Sequence, residues 1–307
     1  MLSFFRPGQT IAQAVVQPSV QSVLWKIKAP GAVKTSYLLG TCHPFGKSWV
    51  DANPVLYRYI KECRTFICES YTGKDTTAGS LIDSISVNKP VKTAAELFGA
   101  DTTLVNDHFL QVGWVEKPTD VLNEATSFSE QIGLIMLMCY SLEYQLIKPL
   151  GVVREDTGMD KALIDYATGE GKFMIGLDNV EGLSGINFTE GPGSFCGVIV
   201  QLIRWIDNVN MSAGEQKKRD EHLAYINLYK TGLRDYGTDR IEEESDDLSN
   251  VLERNRLWIS KLLPLLKQGS CFIAVGAGHL FAGSNEGLIS LLRDRGYIVT
   301  PVRLENK

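Results

Sequence analysis

The stretch CFIAVGAGH, from Cys271 to His279, decides the fold class because an apolar run leads directly into a loop of glycines and a histidine. Five consecutive apolar residues are typical of a strand covered on both faces, as in α/β sheets. A helix is predicted from about Asn285, stopping at Gly296, and residues 297–300 form a closing strand. This order of strand, loop, helix and strand indicates a βαβ unit.

The same order of elements is predicted near the N-terminus. Its parts are a pair of short strands between Trp25 and Gly40 around the turn Pro30-Gly31, the loop Gly40-Thr-Cys-His43, a helix with Asn53 as N-cap and Pro54 at its first position, and a strand over residues 65–69. Each unit therefore carries a G-x-x-H motif directly after a strand. Open α/β sheets bind ligands at the carboxyl ends of their strands, so both histidines are expected at a functional edge.

The region between the two units is predicted to be mainly helical. It contains a helix over residues 159–167, a strand over residues 173–177, a glycine-rich loop over residues 182–197 and an apolar helix around residues 198–206. A long amphipathic helix follows, over about residues 246–267, with Asn255 inside its apolar stripe. We therefore expect a mixed, largely parallel sheet in a single α/β domain over residues 20–307, with a helical insert at about 71–245.

Composition excludes several classes of protein. The chain has 307 residues and a net charge of −5, so it offers no basic field for nucleic acid. Its longest apolar run, residues 132–140, is too short for a transmembrane segment. The sequence contains no C-x-x-C, H-E-x-x-H, P-loop or G-x-S-x-G motif.

The first 19 residues form an N-terminal tail with two open interpretations. A short apolar patch precedes Ala12-Gln13-Ala14, a pattern that a signal peptidase can cut, although Arg6-Pro7-Gly8 interrupts the patch. The segment is either a disordered tail or the end of a truncated signal peptide. The second interpretation predicts an exported, extracytoplasmic protein and the first a cytoplasmic one.

The residues alone give a short set of candidate site positions. His43 and His279 are able to bind a metal or to transfer protons near neutral pH. Glu69 follows an apolar strand at the same expected edge, where a carboxylate completes a metal site or acts as a base. Asp178 is a weaker candidate of the same kind and more simply structural. Spacing alone favours a structural role for Asn255 and leaves Arg254 on the flank of the helix.

At this point the motifs resemble those of the TraB/GumN family, to which the Tiki metalloproteases are similar. The resemblance extends from Val23 to Val302 and is carried by Tyr37-Leu-Leu-Gly-Thr-Cys-His43, by Phe272-Ile-Ala-Val-Gly-Ala-Gly-His-Leu280 with the apolar positions after it, by Glu253-Arg-Asn255, and by the stretch from Met159-Asp160 to Leu177-Asp178. Two departures are mild: Cys42 stands in a position that is usually apolar, and Asp178 where glutamate is commoner.

The resemblance implies a fold shared with erythromycin-esterase-like and ChaN-like proteins, and a metal-dependent hydrolase, most simply a peptidase. It implies His43 and His279 as metal ligands, Glu69 as a third ligand or a base, and Arg254 and Asn255 as oxyanion donors. The ion is divalent (zinc, manganese, cobalt or iron) and the substrate is a peptide or a small molecule. Two alternatives stay open: a non-catalytic protein that binds a ligand, metal or haem, and a metal-independent esterase-like hydrolase.

Overall fold

The fold is organised around a six-stranded sheet in a computed structural model that describes residues 20–31, 33–71, 90–178, 194–235, 246–280 and 285–304. The strands are β1 (Val20–Ser22), β2 (Leu24–Lys28), β3 (Ser36–Thr41), β4 (Thr65–Cys68), β5 (Phe173–Gly176), β6 (Leu233–Asp235), β7 (Cys271–Gly276) and β8 (Ile298–Pro301). The large sheet has the order β5-β4-β7-β3-β2-β8, and β1 pairs with β6 separately.

Helices connect these strands. Among the described residues they are α1 (Lys47–Ala52), α2 (Val55–Glu62), α3 (Ala94–Phe98), α4 (Thr102–Gln111), α5 (Pro118–Glu124), α6 (Phe128–Ile147), α7 (Met159–Gly169), α8 (Phe195–Asp207), α9 (Ala213–Tyr229), α10 (Asp246–Gln268) and α11 (Leu288–Arg293). No helix in the described ranges is long and apolar enough to cross a membrane. The N-terminal tail and most of the predicted glycine-rich loop lie outside the described residues, so the expectation of export stays a prediction.

The directions of the strands confirm a mixed, largely parallel α/β sheet. The pairs β5–β4, β4–β7 and β7–β3 are parallel, whereas β2 is antiparallel to both β3 and β8. The strands of each predicted βαβ unit run in the same direction but are not adjacent. β7 lies between β3 and β4, which is consistent with its burial along almost its whole length.

The helix predicted to begin at Asn53 is wrong in detail, because two helices meet there. Asn53 is the C-cap of α1, and its Nδ2 donates to the carbonyl oxygen of Trp49 at 2.8 Å, while Pro54 is the N-cap of α2. The ring of a proline disfavours helical backbone at the residue before it, so Asn53 leaves the helical region. The last helix, α11, likewise begins at Leu288, three residues later than predicted.

Apolar side chains cover both faces of the sheet. Phe66 and Phe272 stack at 5.8 Å on the face covered by the helices of the middle region. The opposite face packs against α10 and α11, where Ile259 and Leu262 confirm the predicted apolar stripe of α10. Asn255 belongs to that stripe and is fully buried, so this face also carries a polar group that needs partners.

Gly40 allows β3 to pass close to the 3₁₀ turn of residues 277–280, which carries His279. A Cβ atom at Gly40 would lie 2.9 Å from the Cα of Ala277 and 3.0 Å from Cδ2 of Leu280. Because one of these neighbours is backbone, rotation of a side chain does not relieve the contact. The glycine of the first G-x-x-H motif thus sets the position of the second motif.

We predict that Gly40→Ala lowers the free energy of unfolding by about 1–3 kcal/mol, since the extra methyl group overpacks a filled site. The matched control is Gly133→Ala in the middle of α6, where a Cβ meets nothing within 4 Å. There, alanine is expected to stabilise by about 0.5–1 kcal/mol through its helix propensity. Urea unfolding followed by circular dichroism measures both, and equal effects would contradict the close-packing argument.

Candidate functional site

Three of the predicted site residues follow neighbouring strands at the same edge of the sheet. His43 lies two residues after the end of β3, Glu69 directly follows β4, and His279 lies in the turn after β7. The strand order β4-β7-β3 makes these three ends adjacent. The three residues therefore lie together at the carboxyl edge of the sheet. Open α/β sheets bind ligands at this edge.

Glu69 is held as an anion by two donors. Its Oε2 accepts a hydrogen bond from Nη2 of Arg254 at 2.6 Å, and its Oε1 accepts one from the N–H of Gly276 at 2.5 Å. Burial raises the pKa of Glu69, but the charges of His279 and Arg254 and the Gly276 N–H outweigh that effect and lower it to about 2. The side chain is 25% exposed, so Glu69 is a fixed carboxylate that solvent still reaches.

Arg254 on α10 joins Glu69 to Asp178. Its Nε and Nη2 donate to the two carboxylate oxygens of Asp178 at 3.2 and 2.8 Å, and the indole N–H of Trp258 donates to Oδ1 at 2.9 Å. The guanidinium carbon lies 4.5 Å from the centre of the Trp258 ring. Its sequence position favours a structural role for Asp178 outside the site. The structure shows it as the buried partner of Arg254, with its side chain 2% exposed.

Asn255 fixes the orientation and the tautomer of His279. Its Nδ2 donates to the carbonyl oxygens of His279 and Glu286, at 3.2 and 2.9 Å, so its Oδ1 is the atom that faces the ring. That oxygen lies 2.8 Å from Nδ1 of His279, which must carry the proton. The unprotonated Nε2 then lies 3.8 Å from Oε1 of Glu69. Burial lowers the pKa of His279 to about 4, so the ring is neutral at pH 7.

His43 lies at the same edge but outside the buried cluster. Its side chain is 64% exposed, and its Nδ1 lies 3.1 Å from Oδ2 of Asp160, the second residue of α7. The hydrogen bond to Asp160 is the largest cause of a raised pKa for His43, and the charge of Glu69 adds to it. Asp160 is not among the residues that the sequence singles out, because contacts between distant segments bring it beside the first motif: α1 packs on α7, and the N–H of Met159 donates to the carbonyl oxygen of Phe45 at 2.9 Å.

A cavity of about 340 Å³ opens beside His43. It lies between the loop after β3, one side of α6, and the segment that leads into α7. The cluster of Glu69, Arg254, Asn255 and His279 does not line it, so His43 and Asp160 connect the cavity to the edge of the sheet. Among the described residues, no group of three or more His, Cys, Asp and Glu side chains is arranged to hold a metal ion.

The fold and the site define an α/β protein with two histidines and a buried ion network at the carboxyl edge of its sheet. The profile of the TraB/PrgY/gumN family matches residues 23–301, nearly the whole chain, and the protein belongs to that family. No curated protein matches the chain. No solved structure matches it either.

We predict that Asp178→Asn lowers the free energy of unfolding by about 1–3 kcal/mol, because it removes a charged acceptor from the partly buried Arg254. Asp165→Asn is the matched control, since Asp165 pairs with Lys161 on the exposed surface of α7 at 2.7 Å. An exposed pair of this kind contributes at most about 1 kcal/mol. Urea unfolding of both variants at pH 7 is the measurement, and a loss no larger for Asp178 than for Asp165 would contradict the role given to the network.

Proposed function

We propose that the protein is a metal-dependent hydrolase, most simply a peptidase, with its reactive centre at the carboxyl edge of β3, β4 and β7. The observation that carries this proposal is the state of His279. Its Nδ1–H is held by Asn255, its ring is neutral, and its free Nε2 is directed toward Glu69. Histidines that bind metals have this arrangement, with one nitrogen donating to an oxygen and the other left for the ion.

The donor chemistry of the edge fits a divalent ion. His43 would offer its Nε2, because Asp160 occupies its Nδ1; that nitrogen carries a proton at neutral pH, which the ion would displace on binding. The hydroxyl of Thr41, the last residue of β3, is buried and has no hydrogen-bond partner within the described residues. Thr41 pairs with Gly276 in the sheet register, so this unmatched polar atom lies at the edge where the motifs meet. Glu69 and His279 are already in place, whereas the exposed His43 would have to turn toward them.

The bound ion would be held by His43, Glu69 and His279, and it would supply a water of lowered pKa. Glu69 acts as a ligand rather than a base in this proposal, because its lowered pKa makes it a poor proton acceptor. Arg254 uses Nε and Nη2 for its two carboxylates, which leaves Nη1 as a donor for a developing oxyanion. The amide of Asn255 is fully used within the protein, so Asn255 positions His279 and does not contact substrate.

The metal-independent alternative requires a histidine that accepts a proton near neutral pH. The lowered pKa of His279 makes it a weak base, and the pKa of His43 is raised, so His43 is protonated at neutral pH. Neither ring has the pKa that a general base needs at pH 7. The metal-dependent proposal is preferred because it needs a neutral imidazole at His279, not a basic one.

We predict about one divalent ion per chain in the purified protein, measured by mass spectrometry, and its loss in the double variant His43→Ala/His279→Ala. Hydrolysis of peptides and esters should be abolished by chelation and by the double variant. The matched control is His222→Ala, which removes a histidine that packs on Trp205 and is not part of the proposed site. Activity that survives chelation would support the metal-independent hydrolase instead. Stoichiometric metal or ligand binding without turnover would identify a binding protein.

A second prediction concerns Asn255. Asn255→Ser frees Nδ1 of His279 and is expected to weaken metal affinity by about 10–100-fold, the usual cost of losing an outer partner of a ligand. Gln145→Ala is the matched control, because Gln145 makes the corresponding contact to the buried His108 at 3.2 Å. Metal affinity is measured by competition with a fluorescent chelator. Unchanged affinity in Asn255→Ser, in a protein with a native circular dichroism spectrum, would contradict the positioning role.

A further inference from the structure

The cavity beside His43 has one wall formed by a single stripe of α6. Tyr140, Glu143, Tyr144 and Ile147 line it, and their spacing of three, one and three residues places them on the same side of the helix. The stripe therefore presents two phenol rings, one carboxylate and one aliphatic side chain to the same space. Across the cavity lie His43 and Asp160.

Glu143 is a partly buried carboxylate of this cavity without a hydrogen bond or ion pair among the described residues; Arg154 and Asp156, which also line the cavity, have none either but are exposed. Asp160 is paired with His43 at 3.1 Å. Glu155 accepts a hydrogen bond from the N–H of Ser48 at 2.9 Å. Lys161, which also lines the cavity, pairs with Asp165 at 2.7 Å. Among the described residues, no side chain or backbone group makes a hydrogen bond or ion pair with the carboxylate of Glu143, although it is only partly exposed.

An unpaired carboxylate in a cavity that tyrosines also line favours cationic ligands over anionic and neutral ones. Burial raises the pKa of Glu143, because the partly enclosed carboxylate loses part of its solvation, and the charge of His43 opposes that effect. A cation in the cavity would restore the lost solvation and gain a charge-assisted hydrogen bond. Tyr140 and Tyr144 also line the cavity, and phenol rings favour the same kind of group through cation–π contacts. An anion or a neutral apolar group gains neither.

We propose that this cavity is the substrate pocket, and that it binds an ammonium or guanidinium group of the substrate through Glu143, Tyr140 and Tyr144. His43 links the pocket to the reactive edge, so a cationic side chain in the pocket would place the adjoining bond of the substrate at that edge. A volume of about 340 Å³ is at the lower end of the range for ligand sites and suits one side chain. This assignment of a substrate class rests on the proposed hydrolase function.

The test is a binding titration that needs no turnover. The purified protein, with a chelator present, is titrated with p-aminobenzamidine, a cationic probe whose fluorescence rises in apolar surroundings, and in parallel with neutral p-aminobenzamide. Glu143→Gln keeps the shape of the side chain and removes its charge. Asp156→Asn is the matched control, because Asp156 is an exposed carboxylate that lines the same cavity.

We expect the amidine to bind wild type at least about tenfold more tightly than the amide, and Glu143→Gln to remove this preference, as loss of a charged hydrogen bond implies. Asp156→Asn should change the affinity for the amidine by less than about threefold, because solvent screens the charge of the exposed Asp156. Equal affinity for the two probes, no amidine binding, or the same preference in Glu143→Gln would each overturn the proposal.

A further variant separates this proposal from the proposed function. His279→Ala lies outside the cavity and should abolish hydrolysis while leaving amidine affinity unchanged. Selective amidine binding by a wild-type protein that hydrolyses nothing would leave the cation pocket standing and refute the hydrolase. Hydrolysis by a protein that shows no preference for the amidine would refute the cation pocket and leave the hydrolase proposal standing.

Discussion

The geometry of the site depends on one guanidinium between two carboxylates. The parallel pairing of β4 and β5 continues past the strand ends, where the N–H of Asp178 donates to the carbonyl oxygen of Glu69 at 2.7 Å. Two acids at this point would repel each other in a partly buried place without a cation between them. Arg254 compensates both, and because it belongs to α10 it also ties that helix to the sheet. Asn255 and Trp258 on the same helix are thereby held against His279.

The edge of the sheet divides into a fixed part and an open part. Glu69, Arg254, Asn255 and His279 form a network in which both carboxylate oxygens of Glu69 and the whole amide of Asn255 are already used. Such a network keeps its geometry without a ligand. His43 is exposed, and its ring is held by the contact of Nδ1 with Oδ2 of Asp160 at 3.1 Å. If an ion or a substrate binds at this edge, we therefore expect the loop after β3 to adjust rather than the network. His43 in that loop also lines the neighbouring cavity.

The sequence was sufficient to predict the strands, the carboxyl edge and the two histidines that follow it, since these depend on apolar runs and on the residues after them. It was not sufficient for the strand order, because the insertion of β7 between β3 and β4 is a pairing between distant segments. The roles of Asp178 and Asp160 could not be predicted for the same reason. Asp178 pairs with Arg254, 76 residues away in the sequence, and Asp160 pairs with His43, 117 residues away. The role of Asn255 could be predicted in part. Its place in an apolar stripe indicated that it needed partners but not that a site histidine was one of them.

The charge of the network explains why Asp178 belongs to the site although solvent barely reaches it. Glu69 and Arg254 alone would be a neutral pair, with the carboxylate fully committed to the guanidinium. Asp178 takes two of the donor atoms of Arg254 and supplies a second negative charge, so the three groups together carry one net negative charge beside a neutral imidazole. An anionic centre with a free imidazole nitrogen is able to attract a divalent ion in spite of the nearby arginine. Asp178 thus preserves the negative charge that Glu69 presents at the edge of the sheet.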